Sequence, residues 1–173
     1  IVTLDRVRRM DIEADLEVWM EYAWKKEIHG SILAYLGMKK DHFYSVENTV
    51  DGKFFVTARG WEDLSEILKA YEELGVEITE NLVGEYLCRD EIARSFFASY
   101  QLYRKYGEDY GLERLLSGEM PEEEQQKKVK MAKDASFEER FLVTGLLLDG
   151  LNGSFLTYEK MDGETGAVYQ ELL

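Results

Sequence analysis

The sequence predicts a mostly α-helical fold, and three observations support this prediction. The 173 residues include a single proline, Pro121, so nearly the whole chain is free to be helical. Several segments repeat apolar residues at a spacing of three or four, the period of a helix with one buried face. Apolar residues make up 45% and aromatic residues 13% of the chain, enough to fill the core of one domain or of two small helical subdomains.

The first predicted elements are a short strand and two helices. Residues 8–12 are typical of a strand that leaves a preceding domain. Asp15 then caps an amphipathic helix, which has acidic residues early and Lys25 and Lys26 late. Its apolar stripe consists of Leu16, Trp19, Met20 and Ala23. A second, shorter helix is predicted over residues 31–36 and ends at Gly37.

The middle of the chain predicts a turn-rich segment followed by two helices. Residues 39–55 are polar and contain turn signals, which indicate a loop or a small hairpin. A longer helix opens at Gly60 and ends at Gly75, where glycine can adopt the left-handed conformation of a helix end. Thr79 caps another helix. We therefore place a subdomain boundary between Gly75 and Thr79.

The second half begins with two predicted helices. Apolar residues at helical spacing extend from Arg89 to Tyr106, and the helix is expected to stop near Gly107. A short helix is predicted over residues 111–118.

Two more helices follow. Pro121 is predicted as the first helical residue of one, with three glutamates in its first turn and lysines toward its end, which matches the helix dipole. Ser136 and Glu139 form a capping box for the other, which covers residues 137–151. We expect a loose tail from Gly153 onward.

Charge and composition exclude several classes of protein. The formal net charge is −14, with 35 acidic and 21 basic residues, which argues against a nucleic-acid-binding scaffold. Every apolar run is far shorter than the roughly 20 residues that cross a bilayer, and no signal peptide opens the chain, so we expect a cytoplasmic protein with no membrane partner. A single cysteine, Cys88, excludes an internal disulfide. Because the chain begins at Ile1 within an apolar and basic phrase, we expect it to be a piece of a longer protein.

Motifs for nucleotide or metal binding are absent from the sequence. The Gly52-Lys53 pair is followed by Phe54 and lacks the first glycine of a phosphate-binding loop. Residues 146–149 combine an apolar run with an acid, as magnesium-binding strands do, but their spacing favours a helix. His29 and His42 lie at no ligand spacing, so we interpret them as structural or surface residues and predict no metal site.

Four tyrosines at helical spacing allow two interpretations. Tyr100, Tyr103, Tyr106 and Tyr110 are predicted to form a core stripe whose hydroxyls reach the surface. The less favoured interpretation is a peptide-binding groove, because exposed aromatic patches can mark interaction sites.

Arg59 stands directly before a predicted helix start, after the apolar approach of residues 54–58. An arginine at this place can meet an anion together with the free N–H groups of the helix end. It can equally pair with one of the many acidic side chains. Spacing alone gives the two alternatives about equal weight.

Several phrases in the first 75 residues resemble the C-terminal part of MoxR-like AAA+ ATPases. The matching phrases, in order, are Leu4-Asp5-Arg6-Val7, Met10-Asp11-Ile12, residues 15–23, Ile28-His29-Gly30, residues 33–36 and residues 57–65. The last phrase reads Thr-Ala-Arg-Gly-Trp-Glu-Asp-Leu-Ser. Two positions depart from the family pattern, since Val7 replaces a phenylalanine and Ala58 replaces a proline.

The resemblance implies a fold and a set of site residues. Residues 1–13 would end the nucleotide-binding domain, residues 14–75 would form the AAA+ lid subdomain, and residues 76–173 would be a helical, bundle-like extension. Arg6 would be the arginine finger and Arg59 the sensor-2 arginine. Thr57, Gly60 and Trp61 would then lie beside the nucleotide.

The resemblance also implies ligands and partners. ATP and Mg²⁺ would bind the full-length parent and not this fragment, which is expected to be inactive alone because it lacks the Walker motifs. The parent would form a hexameric ring that remodels protein complexes, with a von Willebrand A-type protein as a possible partner. Residues 61–173 carry 12 basic and 25 acidic side chains, a balance of −13, so the end assigned to the nucleotide is close to neutral.

An alternative from another class is a freestanding α-helical interaction module without nucleotide chemistry. In that case a partner peptide would bind the segment from Thr79 to Leu173 through Tyr100 and Tyr103. A hydrolase has little support, because no nucleophile, base and orienting group can be proposed together from the sequence.

Overall fold

A computed structural model describes residues 13–49 and 52–171 of the chain, with side chains described over 13–47 and 54–155. The predicted strand at 8–12 and the proposed finger Arg6 lie outside the described residues. Within them, helices dominate and one two-stranded sheet is the only β-structure of more than a single bridge, so the mostly α prediction is confirmed.

The first half contains four helices and a hairpin. Its elements are α1 (Leu16–Lys25), α2 (Gly30–Met38), a 3-10 turn (Lys40–His42), β1 (Ser45–Thr49), β2 (Gly52–Val56), α3 (Ala58–Leu74) and α4 (Glu80–Tyr86). In the second half, all the regular elements of the described residues are helices. Its elements are α5 (Asp90–Tyr110), α6 (Leu112–Leu116), α7 (Glu122–Asp134) and α8 (Phe137–Glu171).

Side-chain caps fix the starts of four helices. The carboxylate of Asp15 accepts hydrogen bonds from two backbone N–H groups of α1, at 2.8 and 3.1 Å. The hydroxyls of Thr57, Thr79 and Ser136 each accept one from the residue three positions on. Each cap satisfies a donor that has no acceptor within the helix. The caps Asp15, Thr79 and Ser136 lie where the sequence predicts them. The start of α3 differs from the prediction, because Thr57 caps the helix and it begins at Ala58, two residues before Gly60.

Two glycines predicted to end helices lie inside them instead. Gly37 belongs to α2, and Gly107 belongs to α5, which continues to Tyr110. A Cβ at Gly37 would lie 3.0 Å from the ring of Phe141, and one at Gly107 would lie 3.8 Å from Leu146. These predictions were wrong because, at Gly37 above all, the missing side chain permits close helix packing and does not break the helix.

The predicted end of the chain is also wrong. No loose tail begins at Gly153, because α8 continues to Glu171. An isolated glycine costs a helix only about 1 kcal/mol relative to alanine, which a long helix tolerates. Pro121 is displaced by one position and stands just before the first helical residue, Glu122.

The predicted loop or hairpin is a hairpin. Strands β1 and β2 pair in antiparallel fashion, with Val46 opposite Phe55. The N–H of Phe55 donates to the carbonyl of Cys88 at 3.2 Å, and Arg89 bonds Ser45 and Glu47. The start of α5 therefore holds the hairpin against the helices.

The largest core cluster unites α1 to α5. It is centred on the fully buried Trp61, with Tyr35 and Phe96 stacked edge to face or tilted around it. Residues on both sides of the segment 75–79 contribute to this cluster, while the division into subdomains stays a prediction. Two smaller clusters join α8 to α2, α5 and α6.

Candidate functional site

The first turn of α3 exposes Arg59. Its side chain has 87% of its surface exposed, and its Nε lies 3.6 Å from the carboxylate of Asp63, one turn further along the helix. Exposed pairs of this spacing contribute only a few tenths of a kcal/mol. The guanidinium therefore pairs with an acidic side chain, which is one of the two alternatives left open by the sequence. A more strongly bound anion can displace Asp63 from this weak pair.

The residues on either side of Arg59 hold this helix end firmly in place. Thr57 caps the N–H of Gly60 at 3.3 Å. Gly60 packs against α4 so closely that a Cβ there would lie 2.8 Å from the carbonyl oxygen of Tyr86. Trp61 is fully buried, and its Nε1 donates to the carbonyl of Phe43 at 3.0 Å. Of the residues predicted to lie beside a nucleotide, Trp61 is thus a core anchor, while Arg59 faces solvent.

Acidic side chains surround this helix end. Glu62 accepts a hydrogen bond from the hydroxyl of Tyr22 at 2.6 Å, and this bond is the first cause of the raised pKa of Tyr22. Burial, and then the charges of Glu85 and Asp63 among others, raise the pKa of Tyr86. An anion at the end of α3 would therefore be attracted by Arg59 and the first-turn N–H groups and opposed by Asp63.

A second polar cluster lies at the opposite end of α3. Glu72 accepts a hydrogen bond from the hydroxyl of Tyr100 at 2.8 Å and lies 3.0 Å from Nε2 of His29. Burial alone would raise the pKa of Glu72, but the bonds from His29 and Tyr100 outweigh it and lower this pKa. The hydroxyl of Tyr103 donates to Asp149 on α8 at 3.3 Å. Burial raises the pKa of Asp149 in spite of this bond and the nearby His29.

Ser31, His29 and Glu72 have the hydrogen-bond order of a nucleophile, a base and an orienting carboxylate. The Ser31 hydroxyl lies 2.7 Å from Nδ1 of His29, which also accepts from the backbone N–H of Ser31. However, Ser31 is only 1% exposed, so no substrate can reach its oxygen. The imidazole caps α2, and the structural interpretation of His29 is confirmed. The spacing of these three residues gave no sequence signal, since Glu72 lies 43 positions after His29.

The second histidine is structural as well. Nδ1 of His42 lies 2.5 Å from the hydroxyl of Tyr35, whose ring belongs to the main core cluster. Burial is the main reason that the pKa of His42 is lowered. His42 therefore ties the 3-10 turn to α2.

The tyrosine stripe on α5 is a core stripe. Tyr100, Tyr103 and Tyr110 are between 3 and 5% exposed, so a peptide groove formed by their rings is excluded. The hydroxyls reach carboxylates on other helices, and Tyr110 donates to Glu139 on α8 at 2.8 Å. Burial and then this bond raise the pKa of Tyr110 to about 12. Sequence spacing predicted the stripe but could not predict its partners.

The described residues hold no group of three or more histidine, cysteine, aspartate or glutamate side chains arranged to bind a metal ion. Residues 146–149 lie inside α8, as their spacing predicted. None of the helices that the structure describes combines the length and the apolar character needed to cross a bilayer. No protein-family model matches the chain, and neither a curated protein nor a solved structure shows significant similarity to it.

Proposed function

We propose that this chain is the lid and C-terminal helical extension of a MoxR-like AAA+ ATPase, in which Arg59 contacts the terminal phosphate of ATP. One observation supports the proposal above all. Arg59 is 87% exposed, and two positions further along the same helix Trp61 is fully buried. This arrangement presents a positive charge to solvent from a backbone that the core immobilises.

Such an arrangement suits the chemistry of phosphoryl transfer. Catalysis of that reaction depends chiefly on positive charge that is already in place when charge develops on the phosphate oxygens. The first-turn N–H groups of α3 add the partial positive charge of a helix end. Asp63 would hold Arg59 until a phosphate, which binds arginine in a charge-assisted and often bidentate manner, replaces it.

The rest of the machinery would come from outside the described residues. ATP and Mg²⁺ would bind a nucleotide-binding domain that supplies the Walker motifs, and Arg6 would act as the arginine finger in a homo-oligomeric ring. A hexamer that remodels protein complexes, with a von Willebrand A-type partner, follows from the family resemblance. Alone, the chain would hydrolyse no ATP.

The reading frame upstream of Ile1 provides the first test. The proposal requires a phosphate-binding loop of the form Gly-x-x-x-x-Gly-Lys-Ser/Thr and an apolar strand ending in Asp-Glu. A reading frame that starts at Ile1, or an upstream sequence without these motifs, would refute it.

The second test is ATP turnover by the protein that includes this upstream domain. Arg59→Ala should lower turnover at least tenfold, because a charge contact to the developing phosphate is lost. Arg94→Ala is the matched control, since Arg94 is also exposed, at 69%, and also pairs with a carboxylate, Glu80, at 3.4 Å. Turnover that stays unchanged in Arg59→Ala, or falls equally in both variants, would remove Arg59 from the sensor role.

A freestanding interaction module is the second candidate, and one surface favours it. A groove of about 530 Å³ runs between α2, α5 and the start of α8, and Phe137 and Leu102 at its edge are 71 and 39% exposed. Under this alternative the native chain would begin near Ile1 and bind an apolar peptide, with affinity reduced in Phe137→Ala. ATP hydrolysis that depends on Arg59 would exclude it.

A further inference from the structure

The polar cluster at the far end of α3 joins four parts of the fold. We call it the clasp, and it consists of Glu72 on α3, His29 before α2, Tyr100 and Tyr103 on α5, and Asp149 on α8. Glu72 binds His29 and Tyr100, at 3.0 and 2.8 Å, and Tyr103 binds Asp149 at 3.3 Å. The side chain of His29 is only 10% exposed.

The two halves of the clasp are in contact through His29. The imidazole centroid lies 6.2 Å from the ring of Tyr100 and 6.1 Å from that of Tyr103. Gly30, the next residue, leaves room for the Tyr103 hydroxyl and the Asp149 carboxylate, because a Cβ there would overlap the hydroxyl and lie 2.5 Å from Cγ of Asp149. A shift of His29 would therefore disturb both hydrogen-bonded pairs at once.

The clasp is connected to Arg59 through helix α3. Arg59 and Glu72 occupy opposite ends of α3, which is one continuous helix over Ala58–Leu74. At the rise of an α-helix they are about 20 Å apart along its axis. Trp61, Leu64 and Leu68 of this helix are fully buried, so Arg59 and Glu72 belong to one rigid element of the fold.

We propose that the clasp couples the position of α3 to the docking of α8, so that the C-terminal extension responds to the nucleotide state. The nucleotide part of this inference rests on the proposed function. The coupling itself needs only the contacts of this chain. Glu72, Tyr100 and Tyr103 act here as positioning residues, and none of them touches a ligand.

The first experiment uses the full 173-residue chain and hydrogen exchange of backbone amides. Tyr100→Phe keeps the ring and removes the bond to Glu72, so a coupled clasp predicts at least fivefold faster exchange of α8 amides around Asp149. Tyr110→Phe is the matched control, because it removes a tyrosine–carboxylate bond, to Glu139, outside the clasp. Its effect should stay at the start of α8.

The outcomes of this experiment are distinct. A purely structural role of Tyr100 would speed exchange only in α3 and in the neighbouring turns of α5, and unchanged exchange around Asp149 would overturn the coupling. Glu72→Gln, which removes the charge and keeps the size, gives the same readout if Tyr100→Phe does not fold.

The second experiment uses the longer protein with its nucleotide-binding domain. Exchange of α8 should differ at least threefold between a nonhydrolysable ATP analogue and ADP, and Tyr103→Phe should abolish this difference without lowering ATP turnover. If turnover depends on Arg59 while α8 does not respond to nucleotide, the coupling is wrong and the proposed function stands. If no ATP is hydrolysed, the proposed function is wrong, and the first experiment still decides the coupling.

Discussion

Replacing Gly30 by alanine should detach α8 from the start of α2. The new Cβ would overlap the Tyr103 hydroxyl and crowd the Asp149 carboxyl group. Tyr103 is a rigid side chain that is 5% exposed, so it has little room to turn away. The hydrogen bond between Tyr103 and Asp149 must therefore lengthen or break, or the two helices must separate.

The size of the effect follows from three contributions. Losing a hydrogen bond to a charged group costs about 1.5 to 3 kcal/mol. Forcing an extra carbon into a packed contact costs about 1 to 3 kcal/mol. Alanine is a better helix former than glycine, which returns at most about 1 kcal/mol. We expect the free energy of unfolding of Gly30→Ala to fall by about 1.5 to 5 kcal/mol.

Urea unfolding followed by circular dichroism measures this change, with Gly84→Ala as the matched control. Gly84 lies within α4, where an added Cβ meets no described atom within 4 Å. The same substitution there should raise the free energy of unfolding, by up to about 1 kcal/mol. A Gly30→Ala variant as stable as the original chain would refute the close contact between α2, α5 and α8.

Three further predictions concern stability. Burial raises the pKa of Asp149 above its ordinary value of 3.8, so its ionisation costs stability as the pH rises through the folded pKa. In urea unfolding, Asp149→Asn should therefore gain stability relative to the original chain as the pH rises above 3.8, and an opposite trend would contradict the cause assigned. The pKa of Glu72 is lowered from 4.5, so ionised Glu72 stabilises the fold above that value, and this stabilisation is lost as the pH falls through the folded pKa. The loss of unfolding free energy in Glu72→Gln, relative to the original chain, should therefore shrink in acid. A loss that stays constant with pH would contradict the lowered pKa. Trp61→Phe should lower the free energy of unfolding by about 2 to 4 kcal/mol, because it opens a cavity and removes the donor to the Phe43 carbonyl. A loss below about 1 kcal/mol would show that Trp61 does not anchor α3.

Local chemistry made the helix starts predictable from sequence, whereas helix interiors depended on distant residues. Thr79 and Ser136 cap helices through atoms three residues away, so their pattern is visible in a short window. Gly37 resembles a helix stop in the same window. Its actual role is to admit the ring of Phe141, which lies far along the chain.

The candidate site shows the same division between local and long-range determinants. The burial of the tyrosine stripe on α5 could be predicted. Arg59 was predicted to lie directly before a helix, but it lies inside the first turn of α3 because that helix begins at Ala58. The clasp could not, because it brings Glu72 and Asp149 to His29 only when α3, α5 and α8 are packed. Spacing along one helix does not reveal which carboxylate a tyrosine hydroxyl will meet on another.

The attachment of the hairpin has a consequence for folding order. Arg89 bonds Ser45 across 44 positions, and Phe55 donates to the carbonyl of Cys88. A two-stranded ribbon is marginally stable by itself in water. The outer edge of β2 can therefore find its partner near residue 88 only when the chain containing α3 and α4 has folded back as a long loop. Closing this loop costs entropy before the contact with the hairpin can form. During synthesis from the N-terminus, this edge stays open to other chains until residue 89 has emerged, which exposes the hairpin to misassembly during that interval.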